Sequence, residues 1–281
     1  MKSLYKFIAD PRAVPFLLRG LIRFTPPAEL NDPSELTPNV IREEVERSLY
    51  RLRRDGYTQR DLFNLQCQQS LFQKLAPRFQ AVEVPQTSEQ ATDLLRSPFY
   101  NQISLLEALL SDMVREVSSK VGLFCLSQRY DSLPMWAHYA NNGRGFVVEF
   151  RNLERVFEGD DTDVLSKPIG VRYDRERLSV TFETRSHYSL FFAKFSDWSY
   201  EQEVRIVLPL TDCRTETIGD HQIYVREIPQ GCISRLILGW NMADALRKDV
   251  RLHVDQLNPR VDVVNAKIVR GRVELEPSSR T

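Results

Sequence analysis

Apolar positions along the chain change their spacing twice. Residues 4–8 alternate with the period of two that a pleated strand imposes, and 21–24 reads as a second strand. Between these runs, Asp10-Pro11 opens a short helix carrying Val14, Leu17 and Leu18, and Gly20 stands where a C-terminal cap belongs. From residue 38 to 120 the apolar spacing lengthens to three and four. Val45, Leu49 and Leu52 mark a helix over 40–54 that stops at Gly56. Leu62, Phe63, Leu65, Leu71 and Phe72 mark a second over 58–76, and residues 82–92 read as a polar, proline-bearing connector. Ser97-Pro98 then opens a longer helix through Ile103, Leu106, Leu109, Leu110, Met113 and Val117, ending near Lys120.

Beyond residue 120 the strand period returns. Residues 121–127 are almost continuously apolar, as in a buried strand. Pro134 starts a short helix over 135–140, and 145–150 and 169–173 are further strands. Residues 186–195, with Tyr188, Phe191 and Phe192, read as a helix that delivers Lys194 and Trp198 to a strand over 201–208. Strands at 221–228 and 232–238, an amphipathic helix over 242–257, and a closing pair at 261–269 and 273–275 complete the chain. Strands without regular β-α-β alternation predict an α+β fold with a mixed or antiparallel sheet core. The expected organisation is one domain over 1–281. Residues 1–36 and 121–281 form the sheet core, and 37–120 a mostly helical insertion after the first strand-helix-strand unit.

The strand expected at 201–208 carries the most pointed chemistry. Gln202, Val204, Ile206 and Leu208 fall on one face, and Glu201, Glu203 and Arg205 on the other. Open to water, such a triplet is an ordinary solvated edge. Trp198 and Tyr200 just before it suggest a walled cleft instead. There two carboxylates would couple their protonation beside a guanidinium, and would stabilise positive charge on a substrate.

Composition narrows the classes. Lys plus Arg equals Asp plus Glu at 38 each, which argues against a general nucleic-acid coat or a membrane-surface protein. Cys67, Cys125, Cys213 and Cys232 are widely spaced, with no secretory leader ahead of them, so a reducing, cytoplasmic setting is expected. His138, His187, His221 and His253 do not cluster with them, so no metal site is expected. No apolar run reaches the roughly 18 residues of a membrane span. Neither a Gly-x-Gly-x-x-Gly motif nor a P-loop is present.

Smaller features stay open between two readings. Asn31-Asp32-Pro33 fixes a rigid turn that either caps the following helix or holds Asn31, Asp32 and Glu35 at a pocket rim. Trp136, His138 and Tyr139 either fill a core or form one wall of a ligand cleft. Cys125 reads as a small core residue, because nothing near it in sequence would lower its pKa. Arg47, Arg51, Arg53 and Arg54 read as a solvated face that a polyanion could also meet.

Taken together, Leu4-Tyr5-Lys6-Phe7, Asn31-Asp32-Pro33-x-Glu35, Cys125-Leu126-Ser127, Met135-Trp136-x-His138-Tyr139, Gly145, Lys194, Trp198-x-Tyr200-Glu201-x-Glu203-x-Arg205 and Ile237-Leu238-Gly239 resemble the bacterial domain-of-unknown-function family 2971. The layout is also distantly similar to ADP-ribosyltransferases. That resemblance implies NAD as a substrate, with Lys6 on the adenosine ribose and Tyr139 or Trp136 on the nicotinamide side. It places Glu203 on the nicotinamide ribose and Glu201 on the acceptor side. Lys6 departs from the histidine or arginine usual at its position. His138, Asn31 and Asp32 would complete the NAD pocket.

The activity this implies is NAD-dependent ADP-ribosyl transfer or NAD glycohydrolysis. Its setting would be a toxin or antiviral defence, with an unknown protein or nucleic-acid acceptor, an antitoxin or defence-system partner, and no membrane partner. Two other classes remain in view. One is a non-catalytic binding module in which Glu203 and Arg205 form a structural pair. The other is a metal-dependent hydrolase or nuclease using Asp32, Glu201 and Glu203. Convergence of Lys6, Tyr139 and Glu203 on one cleft would favour the transferase.

Overall fold

Asp10 works as the sequence predicts: its carboxylate accepts the Arg12 backbone N–H, and Pro11 opens a tight turn between the first strand and helix. The elements in order begin with β1 (Leu4–Ile8), α1 (Val14–Leu18) and β2 (Leu21–Phe24). Gly20, at φ +84°, ends α1 in the left-handed region and packs against the Ile228 carbonyl. The computed structural model describes residues 3–32, 40–58, 87–96, 101–158, 166–176, 190–218 and 221–277. The expected helix over 58–76 lies outside these, apart from residue 58, as do Pro33 and Glu35 and residues 97–100.

Helices α2 (Arg42–Asp55), α3 (Ser88–Leu95) and α4 (Ile103–Ser118) come next. Helix α3 occupies residues expected to be connector. The signal was present: the Gln90 N–H donates to the Thr87 hydroxyl while the Thr87 N–H donates to the Gln90 side chain, a reciprocal cap. Then follow β3 (Val121–Ser127), α5 (Leu133–Tyr139), β4 (Phe146–Phe150), α6 (Leu153–Val156), β5 (Ile169–Gly170), β6 (Arg172–Asp174), β7 (Ala193–Phe195) and β8 (Glu203–Pro209). The chain closes with β9 (Arg214–Ile218), β10 (His221–Glu227), β11 (Ile233–Leu238), α7 (Asp244–Leu257), β12 (Asp262–Val269) and β13 (Arg272–Pro277).

Eight strands form the main sheet in the order β13-β12-β11-β4-β1-β3-β8-β5. Its pairs are antiparallel except β11 with β12, which α7 connects by the crossover that parallel strands need. A second antiparallel sheet runs β2-β10-β9, and β6 pairs with β7 in parallel. The α+β class and mixed sheet are therefore as expected. Of the helix expected over 186–195, residues 186–189 lie outside the described residues, Leu190–Phe192 make a single 3-10 turn, and Ala193–Phe195 are instead a strand paired with β6. Among the described residues no helix is long and apolar enough to cross a membrane.

One face of the main sheet carries a continuous core, in which Phe124, Phe146, Phe150 and Ile206 meet α1 and α7. The other face carries two separate cores. One gathers α2, α3 and α4 over Val121, Leu123 and Val207; the second gathers α5 over Phe7, Val147 and Ile237. Between them β1 and β3 touch through a single register pair, Tyr5 with Ser127, and then diverge. Thr25, just past β2, bridges to Leu123 and closes the far side of the wedge.

Gly145 shows how closely the strands approach: a Cβ there would overlap the Ile8 carbonyl oxygen. Gly145→Ala is expected to lower stability by about 1–3 kcal/mol, the usual cost of overpacking, measured by urea unfolding. A midpoint equal to that of the parent protein would show that β1 and β4 yield freely at this point.

Candidate functional site

The wedge between β1 and β3 encloses a cavity of about 230 Å³. Its polar lining includes Lys6 from β1, Cys125 and Ser127 from β3, Tyr139 from α5, Lys194 from β7, and the two carboxylates Glu201 and Glu203. The sequence expected both carboxylates on one strand. The strand in fact starts at Glu203, and Glu201 ends the tight helical turn Ser196–Glu201. Gln202 between them is left-handed, at φ 45° and ψ 52°. That reversal presents both carboxylates to the same cavity although simple alternation no longer links them. The turn is stitched to the end of β3, where the Ser127 hydroxyl donates to the Glu201 carbonyl at 2.6 Å and the Gln128 N–H to the Gln202 carbonyl at 3.0 Å.

Behind the carboxylates lies Arg205, fully buried. Its Nε and Nη2 each donate to one oxygen of Glu203 at 2.8 Å, and Nη1 donates to the Phe191 carbonyl at 2.9 Å. Burial lowers its pKa to about 9, against the opposing charge of Asp32. In front lies Lys194, whose ammonium donates to Glu201 at 2.8 Å and approaches Glu203 at 3.4 Å. It also sits 4.8 Å from the centre of the Trp198 ring, on whose π-face a cation is favoured. Burial works against the Lys194 charge, but Glu203 and Glu201 outweigh it and raise its pKa. Burial likewise lifts the Glu203 carboxyl above the usual carboxylate range, with Lys194 pulling it back and Glu201 pushing it further up.

Tyr139 completes the constellation by donating its hydroxyl to Glu201 at 2.6 Å. Burial, then this bond, raise its phenol above the ordinary value. Tyr173, which carried no signal in the sequence, accepts the Glu203 backbone N–H through its hydroxyl at 2.8 Å. The Cys125 thiol lies in the cavity wall, and burial and Glu203 push its pKa well up, which favours the thiol over the thiolate.

The structure thus brings Lys6, Asn31, Tyr139, Glu201 and Glu203 onto one cavity. It places three other candidates elsewhere. Trp136 is fully buried in the core beneath α5, with its indole N–H on the Tyr130 carbonyl at 2.7 Å and its ring against Phe7 and Trp240. It fills a core and is not part of this lining. His138 is exposed and bonds the Tyr200 hydroxyl at 3.0 Å, beside Trp198. Asp32 is buried, close enough for its charge to reach Arg205, but is not part of the lining. Among the described residues no group of three His, Cys, Asp or Glu side chains could hold a metal ion.

Residues 135–206 match the family model for a protein of unknown function, DUF2971. This bears out the family resemblance over that segment. The DUF2971 segment carries Tyr139, Lys194, Glu201, Glu203 and Arg205, whereas Lys6, Asn31 and Cys125 come to the cavity from outside it. No curated protein and no solved structure matches the chain.

Removing one partner of a buried pair leaves the other charge uncompensated. Glu203→Gln is therefore expected to cost about 3–5 kcal/mol of stability, and Glu203→Gln with Arg205→Met to recover a large part of it. Urea unfolding of the three proteins checks this. A single variant as stable as the parent would show that the Glu203–Arg205 pair contributes nothing to the fold.

Proposed function

We propose that the protein consumes NAD by glycosyl transfer, with the nicotinamide ribose held at the Glu201–Glu203 end of the wedge. The observation that carries this reading is convergence: Lys6, Tyr139 and both carboxylates, drawn from three separate stretches of chain, line one partly enclosed cavity. In the reaction the C1′–N bond breaks with its electrons passing to nicotinamide. The ribose becomes an oxocarbenium cation, and water or an acceptor group then bonds C1′ and releases a proton. Fixed carboxylates in a site shielded from water stabilise such a cation strongly.

The two carboxylates differ in how much of their acceptor capacity the protein uses. A carboxylate offers about four lone-pair positions. Glu203 receives both Arg205 bonds and the approach of Lys194, whereas Glu201 receives Tyr139 and Lys194. Glu201 therefore keeps more capacity for a ribose hydroxyl, and Glu203 fixes the cations around it. This reverses the emphasis that the resemblance to ADP-ribosyltransferases placed on Glu203. In the metal-dependent alternative a divalent cation would have to lie between Glu201 and Glu203, where the Lys194 ammonium already is. The binding-module alternative keeps one specific observation in its favour, the two-bond clasp of Arg205 on Glu203.

The test is incubation with NAD labelled in its adenylate part, with and without cell extract. Free nicotinamide and labelled ADP-ribose or a labelled acceptor are expected. Glu201→Gln keeps the shape of the side chain and one oxygen for Lys194, while its NH2 can only donate to the Tyr139 hydroxyl, and it should lower turnover roughly a hundredfold while NAD affinity is retained. Binding of NAD without release of nicotinamide would favour the binding module, and no binding at all would end the NAD reading.

A further inference from the structure

Lys6 differs from the other cations around the wedge. Arg23 pairs with Glu29, Arg12 with Asp10, Arg205 with Glu203, and Lys194 with both cavity carboxylates. Lys6 forms no ion pair among the described residues. Its ammonium donates to one neutral acceptor, the Cys125 carbonyl at 2.9 Å, and lies 5.6 Å from the centre of the Phe124 ring. The topology explains the first contact. Where β1 leaves β3 beyond Tyr5, the Lys6 side chain reaches across the gap to a β3 carbonyl. An ammonium carries three N–H donors, so two remain for a ligand.

Position gives this spare donor capacity its meaning. Beyond the carboxylate cavity lies a second, larger one of about 960 Å³, walled by the β1–α1 connection, Phe16, Leu21 and the start of β10. Lys6, Phe7, Arg23, Thr25 and Glu29 line both, so the two cavities meet at a neck. At that neck Arg23 and Glu29 neutralise each other on the exposed side. Lys6 is left as the cation there with no carboxylate bound to it. A half-buried ammonium in this setting is best complemented by a strong anionic acceptor supplied from outside the chain.

We propose that Lys6 is the anchor for a phosphate or diphosphate group at the neck of a two-chambered site, and that the ligand is a dinucleotide-like molecule. Its anionic linker lies on Lys6, one ring-bearing end enters the carboxylate cavity, and the other occupies the larger one. The proposal rests on the NAD reading for the identity of the first end, and it moves Lys6 from a ribose contact to a phosphate contact. Combined, the chambers have room for such a ligand, whereas about 230 Å³ alone falls below the roughly 300 Å³ at which small-molecule pockets usually start. The electrostatics suit the division. Glu201 and Glu203 already hold Lys194 and Arg205, so Lys6 is the cation that keeps donors for an anion.

Calorimetry with inorganic pyrophosphate, ADP-ribose and nicotinamide riboside tests this on the parent protein, Lys6→Gln and Lys6→Arg. Gln keeps a donor for the Cys125 carbonyl but removes the charge. Lys6→Gln is expected to weaken pyrophosphate and ADP-ribose at least about tenfold, the scale of one charge-assisted bond, and to leave nicotinamide riboside unchanged; Lys6→Arg should stay within about threefold. Unchanged ADP-ribose binding in Lys6→Gln, or no binding of either anion by the parent, overturns the proposal. If the anions bind through Lys6 but NAD is neither bound nor consumed, the anion site stands and the NAD reading falls. If NAD is consumed and Lys6→Gln leaves KM unaltered, the NAD reading stands and the anion site falls. Should Lys6→Gln fail to fold, the lysine ammonium signals of the parent, followed by NMR during pyrophosphate addition, decide the matter: a Lys6 signal that does not move overturns the proposal.

Discussion

Arg205 is a guanidinium with no access to water, and the surrounding structure answers to that fact. Taking a charge of this size out of solvent costs several kcal/mol even after the protein relaxes, so its donors must be met. Glu203 meets two of them and the Phe191 carbonyl a third. Meeting the third fixes the Leu190–Phe192 turn against the sheet. The strand that follows this turn carries Lys194, so the same contact helps set where the second cation stands. One buried charge thereby ties strand β8, next to the edge of the main sheet, to the segment that completes the cavity.

The charges in the wedge form a sequence from inside outward. Arg205 lies deepest, within reach of the Asp32 charge, then Glu203, then Lys194 with Glu201, and Tyr139 closes the row. Neighbours alternate in sign, so each stabilises the next where water screens little. A network of this kind holds its side chains in place before any ligand arrives. Preorganised charge is what a reaction passing through a cation requires, because no free energy then goes into orienting dipoles as the charge develops. The same property would serve a binding module, which is why release of nicotinamide, rather than affinity, separates the two readings.

The cavity exists because two sheet strands part company. β1 pairs with β4 along its whole length and with β3 at one register position. On one face of the sheet a single hydrophobic core spans the divergence, while on the other two cores stand either side of it. The polar constellation occupies the ground between those two cores, where burial is deep but apolar packing is interrupted. Lys6 bridges the gap in the backbone ladder, so one residue contributes both to closing the sheet and to the electrostatics of its opening.

Much of the fold was legible from local pattern. Short apolar runs gave β1, β2, β4, β10 and β11, with a period of two in β1, where pleat and burial act directly on sequence. Asp10-Pro11, Gly20 and the Thr87–Gln90 box are capping chemistry confined to a few residues, readable without tertiary contacts. The family resemblance and the grouping of Glu201, Glu203 and Arg205 came from the same source. Tertiary structure decided the rest. Pairing with β6 turned residues 193–195 into a strand where their aromatic spacing read as helix. The left-handed Gln202 brought Glu201 beside Glu203 by a route that alternation does not describe. Three neighbouring candidates on α5 were sent to a core, a surface and a cavity, since one helical turn can face all three and only its packing partners assign them. Tyr173 carried no signal in sequence, and Lys6 and Lys194 were marked by resemblance alone. Their importance comes from which charges stand opposite them, and no local pattern in the chain encodes an opposing charge many residues away.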